Sequence, residues 1–351
     1  MNKYIAIMAG GIGSRFWPSS TNERPKQFLD ILGVGKSLIR MTFERALRLV
    51  PADHVFIVTN KKYKVLVMEH LPELPQENIL CEPSMNNTAP CIAYTALRIN
   101  SVDPQAIFAV LPSDHVILKE DEYVRKLDQA FGFAAAHEAI VTLGIQPSRP
   151  DTGYGYINYQ KDTEGNEQIH KVISFKEKPD LVTAETYLES GDYLWNAGMF
   201  VWSVPTILKS YQTHAPQILD VLMQRNALYG TSEEQAYIDA VYPDTQKISV
   251  DYAILERADN VYTIPADIGW SDLGTWNSLH AYLATDTDTV SIGKNIKLMD
   301  CQDTIVISNN DKTIVIKGLS DYIVVDEENA LLIYPKSEEQ EIKGVVQDLI
   351  K

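Results

Sequence analysis

The sequence predicts an α/β protein: a mostly parallel, Rossmann-like sheet flanked by helices, followed by a small C-terminal β-domain. Three observations carry that reading. Short apolar runs alternate with amphipathic helical patterns up to residue 145. Ile296, Ile305, Ile314, Ile323 and Leu332 recur at a spacing of nine. The 351 residues are 45% hydrophobic and 22% charged, a globular composition in a length suited to about two domains.

The elements follow in order. Residues 4–9 form a continuous apolar run ended by glycines, a buried strand. Ile39, Phe43, Ala46, Leu47 and Val50 fall on one helix face, with Ser37 as the N-cap. Residues 55–58 read as the next strand. Asn87-Thr88 before Pro90 starts a helix, and residues 107–111 form another buried strand. Tyr123, Leu127, Ala130, Phe131 and Ala134 mark a second amphipathic helix, and residues 140–145 a further strand. Strands joined through helices imply parallel pairing with helices on both faces. Beyond residue 151, segments 154–159, 171–175 and 199–202 read as strands of an elaboration over one side of that sheet. Helical patterns return over 207–222 and 233–240. The nine-residue repeat puts one Ile in each of several short β-rich runs, punctuated by Asn309-Asn310-Asp311 and Gly318. Stacking of a repeated position favours a short β-solenoid over an antiparallel meander, with a polar helix after it. The expected division is 1–284 and 285–351.

The formal net charge is −16, which excludes a general nucleic-acid binder, since phosphate backbones are held by Lys and Arg. Residues 1–50 nevertheless hold eight basic residues against three acids, a positive segment on an acidic chain. Cys81, Cys91 and Cys301 have no CxxC spacing and read as unbridged thiols of a reducing compartment. The first apolar run is too short for a signal segment, and no run approaches the roughly 18 apolar residues of a membrane span. A cytoplasmic protein that uses no membrane is expected.

Chemistry concentrates after the first strand, in Gly10-Gly11-Ile12-Gly13-Ser14-Arg15. Glycines there let backbone N–H groups approach a phosphate. A Walker A loop needs Lys-Ser/Thr after its last glycine, and Ser14-Arg15 stands there instead. The dinucleotide fingerprint needs a third small residue where Phe16 stands, and an acid ending the second strand where Thr59-Asn60 stands. A Rossmann dehydrogenase is therefore not expected. A plain tight turn remains the alternative for the loop alone. Arg15 and Lys26 change the balance: two cations converging on a glycine loop suit a polyphosphate.

The residues 9–18 (AGGIGSRFWP) with Arg24-Pro25-Lys26-Gln27-Phe28 resemble the signature of the sugar-1-phosphate nucleotidylyltransferases. The likeness extends through Glu82-Pro83, Asn87-Thr88-Ala89-Pro90, Leu111-Pro112-Ser113-Asp114-His115 and Gly153-Tyr154-Gly155-Tyr156-Ile157. It continues in Phe175-Lys176-Glu177-Lys178-Pro179, Trp195-Asn196-Ala197-Gly198, Ser249-Val250-Asp251-Tyr252 and Trp270-Ser271-Asp272-Leu273-Gly274. It covers nearly the whole chain and is narrowest for the guanylyl-transferring, mannose 1-phosphate-using branch.

The resemblance implies a nucleotidyltransferase catalytic domain over 1–284, a short solenoid used for packing and dimerisation over 285–351, and a homodimer. The implied reaction is GTP plus mannose 1-phosphate giving GDP-mannose and pyrophosphate. Another hexose or heptose 1-phosphate is the alternative acceptor, and a non-catalytic nucleotide-sugar sensor a weaker one. Both reactants are anions, so positioning and charge neutralisation carry catalysis, without a protein nucleophile. Arg15, Lys26, Asp114 and Asp272 are the implied catalytic residues, the two aspartates holding Mg²⁺. Asp114 follows a strand end, where open α/β sheets bind ligands, although each aspartate also reads as a turn or cap residue. Gly10, Gly11, Gly13, Ser14, Glu82, Asn87 and Thr88 are expected at the nucleotide. A carboxylate such as Glu82 suits the N1–H and amino group of guanine, with a helix cap the plainer role for Asn87 or Thr88. Gly155, Glu177, Lys178 and Asn196 are expected at the sugar phosphate. Asp251 reads more simply as a helix cap, and Trp195, Phe200 and Trp202 as core. Some relatives carry an isomerase-like cupin domain; this sequence ends before one, so isomerase activity is not expected.

Overall fold

The apolar runs become the central strands of a nine-stranded sheet. The computed structural model describes residues 1–161, 169–284 and 288–349, so the first three residues of the expected C-terminal domain lie outside the description. The chain forms two units. One comprises Met1–Gly10, Phe43–Pro112 and Ile117–Trp270, the other Gly11–Thr42, Ser113–Val116 and Ser271–Lys351.

The first unit holds β1 (Lys3–Ala9), β2 (Val55–Asn60), β3 (Ile79–Glu82), β4 (Ile107–Pro112), β5 (Ile140–Ile145), β6 (Tyr156–Tyr159), β7 (His170–Lys176), β8 (Tyr193–Ser203) and β9 (Val261–Pro265). Their order is β3-β2-β1-β4-β8-β5-β9-β7-β6. Strands β3, β2, β1 and β4 are parallel, as the helical crossovers require. Strand β8 lies antiparallel between β4 and β5. The segment 199–202, read from sequence as part of an overlay, is thus in the middle of a mixed sheet. Its side chains explain the placement: Trp195, Phe200, Val201 and Trp202 are all at most 4% exposed, which only a strand covered on both faces allows.

Helix α1 (Leu38–Leu47) buries Ile39, Phe43 and Ala46, while Leu47 turns outward. Helix α2 (Thr88–Val102) is buried along most of its length and starts at Asn87, whose side chain accepts from the Thr88 N–H. Helix α3 (Glu120–Ala136) buries the five predicted residues, and its first turn carries Glu120, Asp121 and Glu122, the sign its dipole favours. The later helical patterns fold as Val204–His214, Pro216–Leu222 and Glu234–Val241.

In the second unit, Phe16, Leu29, Ile31, Leu38, Trp276, Ile305, Ile323 and Ile342 share one core. It contains α4 (Trp276–Leu283), α5 (Ile342–Leu349) and the strands β10 (Val290–Ile292), β11 (Ile296–Met299), β12 (Ile305–Ser308), β13 (Ile314–Lys317), β14 (Tyr322–Asp326) and β15 (Leu331–Pro335). Ile314 stacks in parallel register on Ile296, and Ile323 on Ile305. The repeat is therefore a solenoid whose coil takes two nine-residue steps, alternate Ile positions entering different sheets. Strand β15 runs antiparallel to β14 and ends the stack. The glycine-loop segment shares the solenoid's core.

Basic residues of the positive N-terminal segment find acidic partners far along the chain. Lys3 pairs with Asp128, Arg45 and Arg48 with Glu120, and Lys26 with Asp114. At least four of the eight basic residues thus meet an acid, Arg45 and Arg48 sharing one.

Candidate active site

In the second unit, Gly13 adopts a left-handed conformation (φ 71°) that opens a short helical turn over Ser14–Phe16. A Cβ on Gly13 would lie 2.5 Å from Cβ of Lys26, so two backbone segments touch here because the residue is glycine. The Lys26 N–H donates to the Ile12 carbonyl at 3.2 Å. A Cβ on Gly11 would meet nothing within 4 Å, leaving that backbone open.

Lys26 is 3% exposed, against the expectation of a cation facing ligand. Its ammonium donates to Oδ2 of Asp114 at 2.9 Å and to the main-chain carbonyl of Asp272 at 2.6 Å. It also lies 5.5 Å over the Phe16 ring. A lysine buried this far requires partners, and the two predicted aspartates supply them. Burial pushes the Asp114 carboxyl up, but Lys26 and His115 outweigh it and hold it below the usual carboxylate range. Asp114 keeps about a third of its side chain exposed, so it faces outward as well. Asp272 sits in a tight turn: its Oδ1 accepts from the Gly274 N–H at 3.0 Å, and Leu273 takes a positive φ of 43°. Arg15 is exposed, and its Nε donates to Oε1 of Gln340 at 3.0 Å.

In the first unit, Glu82 ends β3 and is 7% exposed. One oxygen accepts from the Tyr242 hydroxyl, and the Cys91 thiol also donates to the group. The other oxygen lies 3.8 Å from where a Gly10 Cβ would stand. Burial pushes Glu82 up to about 7, with the two hydrogen bonds opposing. Asn87 caps α2, and the Thr88 hydroxyl accepts from the Val250 N–H at 2.9 Å, so both predicted nucleotide residues have structural partners. The three cysteines are free thiols.

The four predicted sugar-phosphate residues come together. A Cβ on Gly155 would stand 2.6 Å from Oε2 of Glu177 and 3.4 Å from Cβ of Asn196. Glu177 pairs with Lys178, which takes a left-handed φ of 46°. Burial lowers the Lys178 ammonium, but Glu177 and Asp251 outweigh it and raise it above its ordinary value. Asn196 accepts from the Gly198 N–H and donates from Nδ2 to Oδ1 of Asp251 at 3.0 Å. Asp251, read from sequence as a cap, belongs to this cluster. Burial and the Glu177 charge push it up to about 6. The Ser-Val-Asp-Tyr motif was the available signal for it; nothing in the sequence pointed to Tyr242 as the partner of Glu82.

Residues 5–289 match the Nucleotidyl transferase family, and the chain belongs to it. Residues 293–349 match the MannoseP isomerase/GMP-like beta-helix domain. The chain is 33% identical to the mannose-1-phosphate guanylyltransferase of Escherichia coli K12, over 99% of this chain and 73% of that protein. It is also 33% identical to the alginate biosynthesis protein AlgA of Pseudomonas aeruginosa, over 98% and 71%. A solved structure from Thermus thermophilus, described as a mannose-1-phosphate geranyltransferase, is 29% identical with a TM-score of 0.89, covering 100% of both chains.

Proposed function

We propose that this chain transfers GMP from GTP to mannose 1-phosphate, giving GDP-mannose and pyrophosphate. The carrying observation is the buried Lys26 ammonium joining Asp114 to the Asp272 turn. Similarity to a named guanylyltransferase along 99% of the chain supports the choice of base and acceptor.

In this reading a phosphate oxygen of mannose 1-phosphate attacks the α-phosphorus of GTP in line. The new P–O bond forms as the bond to the bridging oxygen breaks, and the electron pair leaves with pyrophosphate. The attacking phosphate is ionised at neutral pH, so no general base is required. What the protein supplies is alignment and charge. Arg15 and the backbone N–H groups of Gly11, Gly13 and Ser14 take triphosphate oxygens. Lys26 fixes Asp114 and Asp272. Those two carboxylates suit Mg²⁺, which takes few protein carboxylates and completes its shell with phosphate oxygens and water. Among the described residues no group of three or more His, Cys, Asp or Glu gathers. Bound Mg²⁺ would neutralise phosphate charge.

Glu82, beside Gly10, accepts from guanine, with Asn87 and Thr88 shaping that end of α2. Gly155 admits the sugar close to the backbone, Glu177 and Asn196 take hydroxyls, and Lys178 takes the sugar phosphate. Asp251 holds Asn196. We further read the protein as a cytoplasmic homodimer. Among the described residues no helix is long and apolar enough to cross a membrane. Exposed Val315, Leu331 and Ile333 line a pocket of about 440 Å³ on the solenoid, an apolar face that suits a second copy.

Pyrophosphate release with Mg²⁺, measured across a grid of nucleoside triphosphates and sugar 1-phosphates, tests the reading. Turnover with GTP and mannose 1-phosphate is expected to exceed all other pairs. No turnover with that pair refutes it, while turnover with another sugar keeps the chemistry and changes the acceptor.

A further inference from the structure

The segment 338–341 reads Glu-Glu-Gln-Glu, and its one neutral residue is the one that meets Arg15. This segment lies in the helical turn Lys336–Glu341, which leads into α5. Its neighbours are fixed on both sides. Glu339 is buried, and its Oε2 accepts from the Asn277 N–H at 2.9 Å in the first turn of α4, where a negative charge is favoured. The Asn277 side chain donates to the Lys336 carbonyl at 2.9 Å. Ile342 and Val346 of α5 enter the core that holds Phe16 and Trp276, whose rings meet edge to face at 4.7 Å. Phe16 is therefore anchored one residue after Arg15, and Gln340 is anchored two residues before Ile342.

Gln340 thus presents a single carbonyl oxygen to Nε of Arg15 at 3.0 Å from a braced position. Among the described residues, Arg15 has no carboxylate partner and no other hydrogen bond. The choice of side chain has a chemical consequence. A glutamate here would form a charge-assisted pair and cancel the guanidinium charge. A neutral amide orients the same group through one bond and leaves the charge and the Nη fork available for a polyanion.

We infer that Gln340 is a positioning residue for the nucleotide triphosphate, acting through Arg15 by orienting its guanidinium without neutralising it. This rests on the reading of Arg15 as a triphosphate ligand, so the test treats the two separately.

The experiment measures the Kd of GTP by calorimetry in Mg²⁺ for the full chain and for Arg15→Ala, Gln340→Ala, the double variant and Gln340→Glu, with a thermal melt of each. Arg15→Ala is expected to weaken GTP binding at least tenfold. If it leaves the Kd unchanged, the reading of Arg15 fails and the inference fails with it. Gln340→Ala is expected to weaken binding about threefold in the natural chain and not at all in the Arg15→Ala background, because it acts through that side chain. An equal effect in both backgrounds reveals a structural role and overturns the inference, as does no effect in either. Gln340→Glu guards against a folding defect: it should hold or raise the melting temperature through its pair with Arg15 while weakening GTP roughly tenfold. A Gln340→Glu protein that binds GTP as tightly as the natural chain overturns the inference.

Discussion

Replacing Gly13 by alanine perturbs the proposed phosphate site through a single methyl group. Gly13 sits at φ 71°, where an L residue costs roughly 1–2 kcal/mol. The added Cβ would stand 2.5 Å from Cβ of Lys26. Carbon atoms settle at about 3.5–4.0 Å, so the two backbone segments must part by about 1 Å. Lys26 cannot absorb that shift privately, because its ammonium is held at 2.9 Å by Asp114 and at 2.6 Å by the Asp272 carbonyl. A displacement on the order of 1 Å in a positioning group costs about 100-fold in rate. Gly13→Ala should therefore lower kcat/KM for pyrophosphate release about 100-fold and the melting temperature by roughly 1–3 °C. The assay is run well below the melting transition, so the rate loss is not unfolding. An alanine variant within threefold of the natural rate, with an unchanged melt, refutes the coupling between the loop and Lys26.

Four further outcomes are expected. Asp272→Asn should abolish most turnover and leave circular dichroism unchanged, because the Lys26 contact uses the main-chain carbonyl, which the substitution keeps; near-natural turnover would show that this carboxylate holds no metal. Glu82, pushed up to about 7, keeps its proton in the folded chain while the unfolded chain has released its own. Its stabilising contribution is full at pH below about 4.5 and declines as pH rises through about 7, so natural stability should fall relative to Glu82→Gln across that window in parallel melts. In the role proposed for Glu82 guanine is bound by the ionised form, so GTP affinity should rise with pH through about 7 in the natural chain and lose that dependence in Glu82→Gln. Gly155→Ala places a methyl 2.6 Å from Oε2 of Glu177, so KM for mannose 1-phosphate should rise about tenfold with the GTP Kd unchanged; an unchanged sugar-phosphate KM contradicts the role given to that cluster.

Legibility followed the range of the interactions. Strands β1 and β4 were readable because burial on both faces writes an uninterrupted apolar run. The central place of β8 was not, since Phe200 and Trp202 pair with strands more than fifty residues away. The Ile repeat announced stacking, but a spacing of nine conceals which positions share a sheet until the registers of Ile305 with Ile323 and Ile296 with Ile314 are known. The family resemblance pointed to Lys26, Asp114 and Asp272. It could not reveal that the lysine's partners are those aspartates rather than solvent or ligand. Asp251 reads as a cap because its local context hides an Asn196 contact made through the fold. Gln340 had no signal at all, since a neutral amide in an acidic run acquires meaning only beside Arg15.

The division of the second unit into distant segments bears on how the protein comes into being. Phe16, Leu29 and Leu38 find their core partners in Trp276, Ile305, Ile323 and Ile342. During synthesis the glycine loop must wait, unpacked, while residues 43–270 are made and the sheet unit has the chance to fold first. Closing so long a loop is entropically costly and slow compared with local pairing. The loop that would grip phosphates is thus among the first stretches to leave the ribosome and the last to become structured. A nascent chain halted before Trp276 should carry a folded sheet and a loop with no shape to bind with.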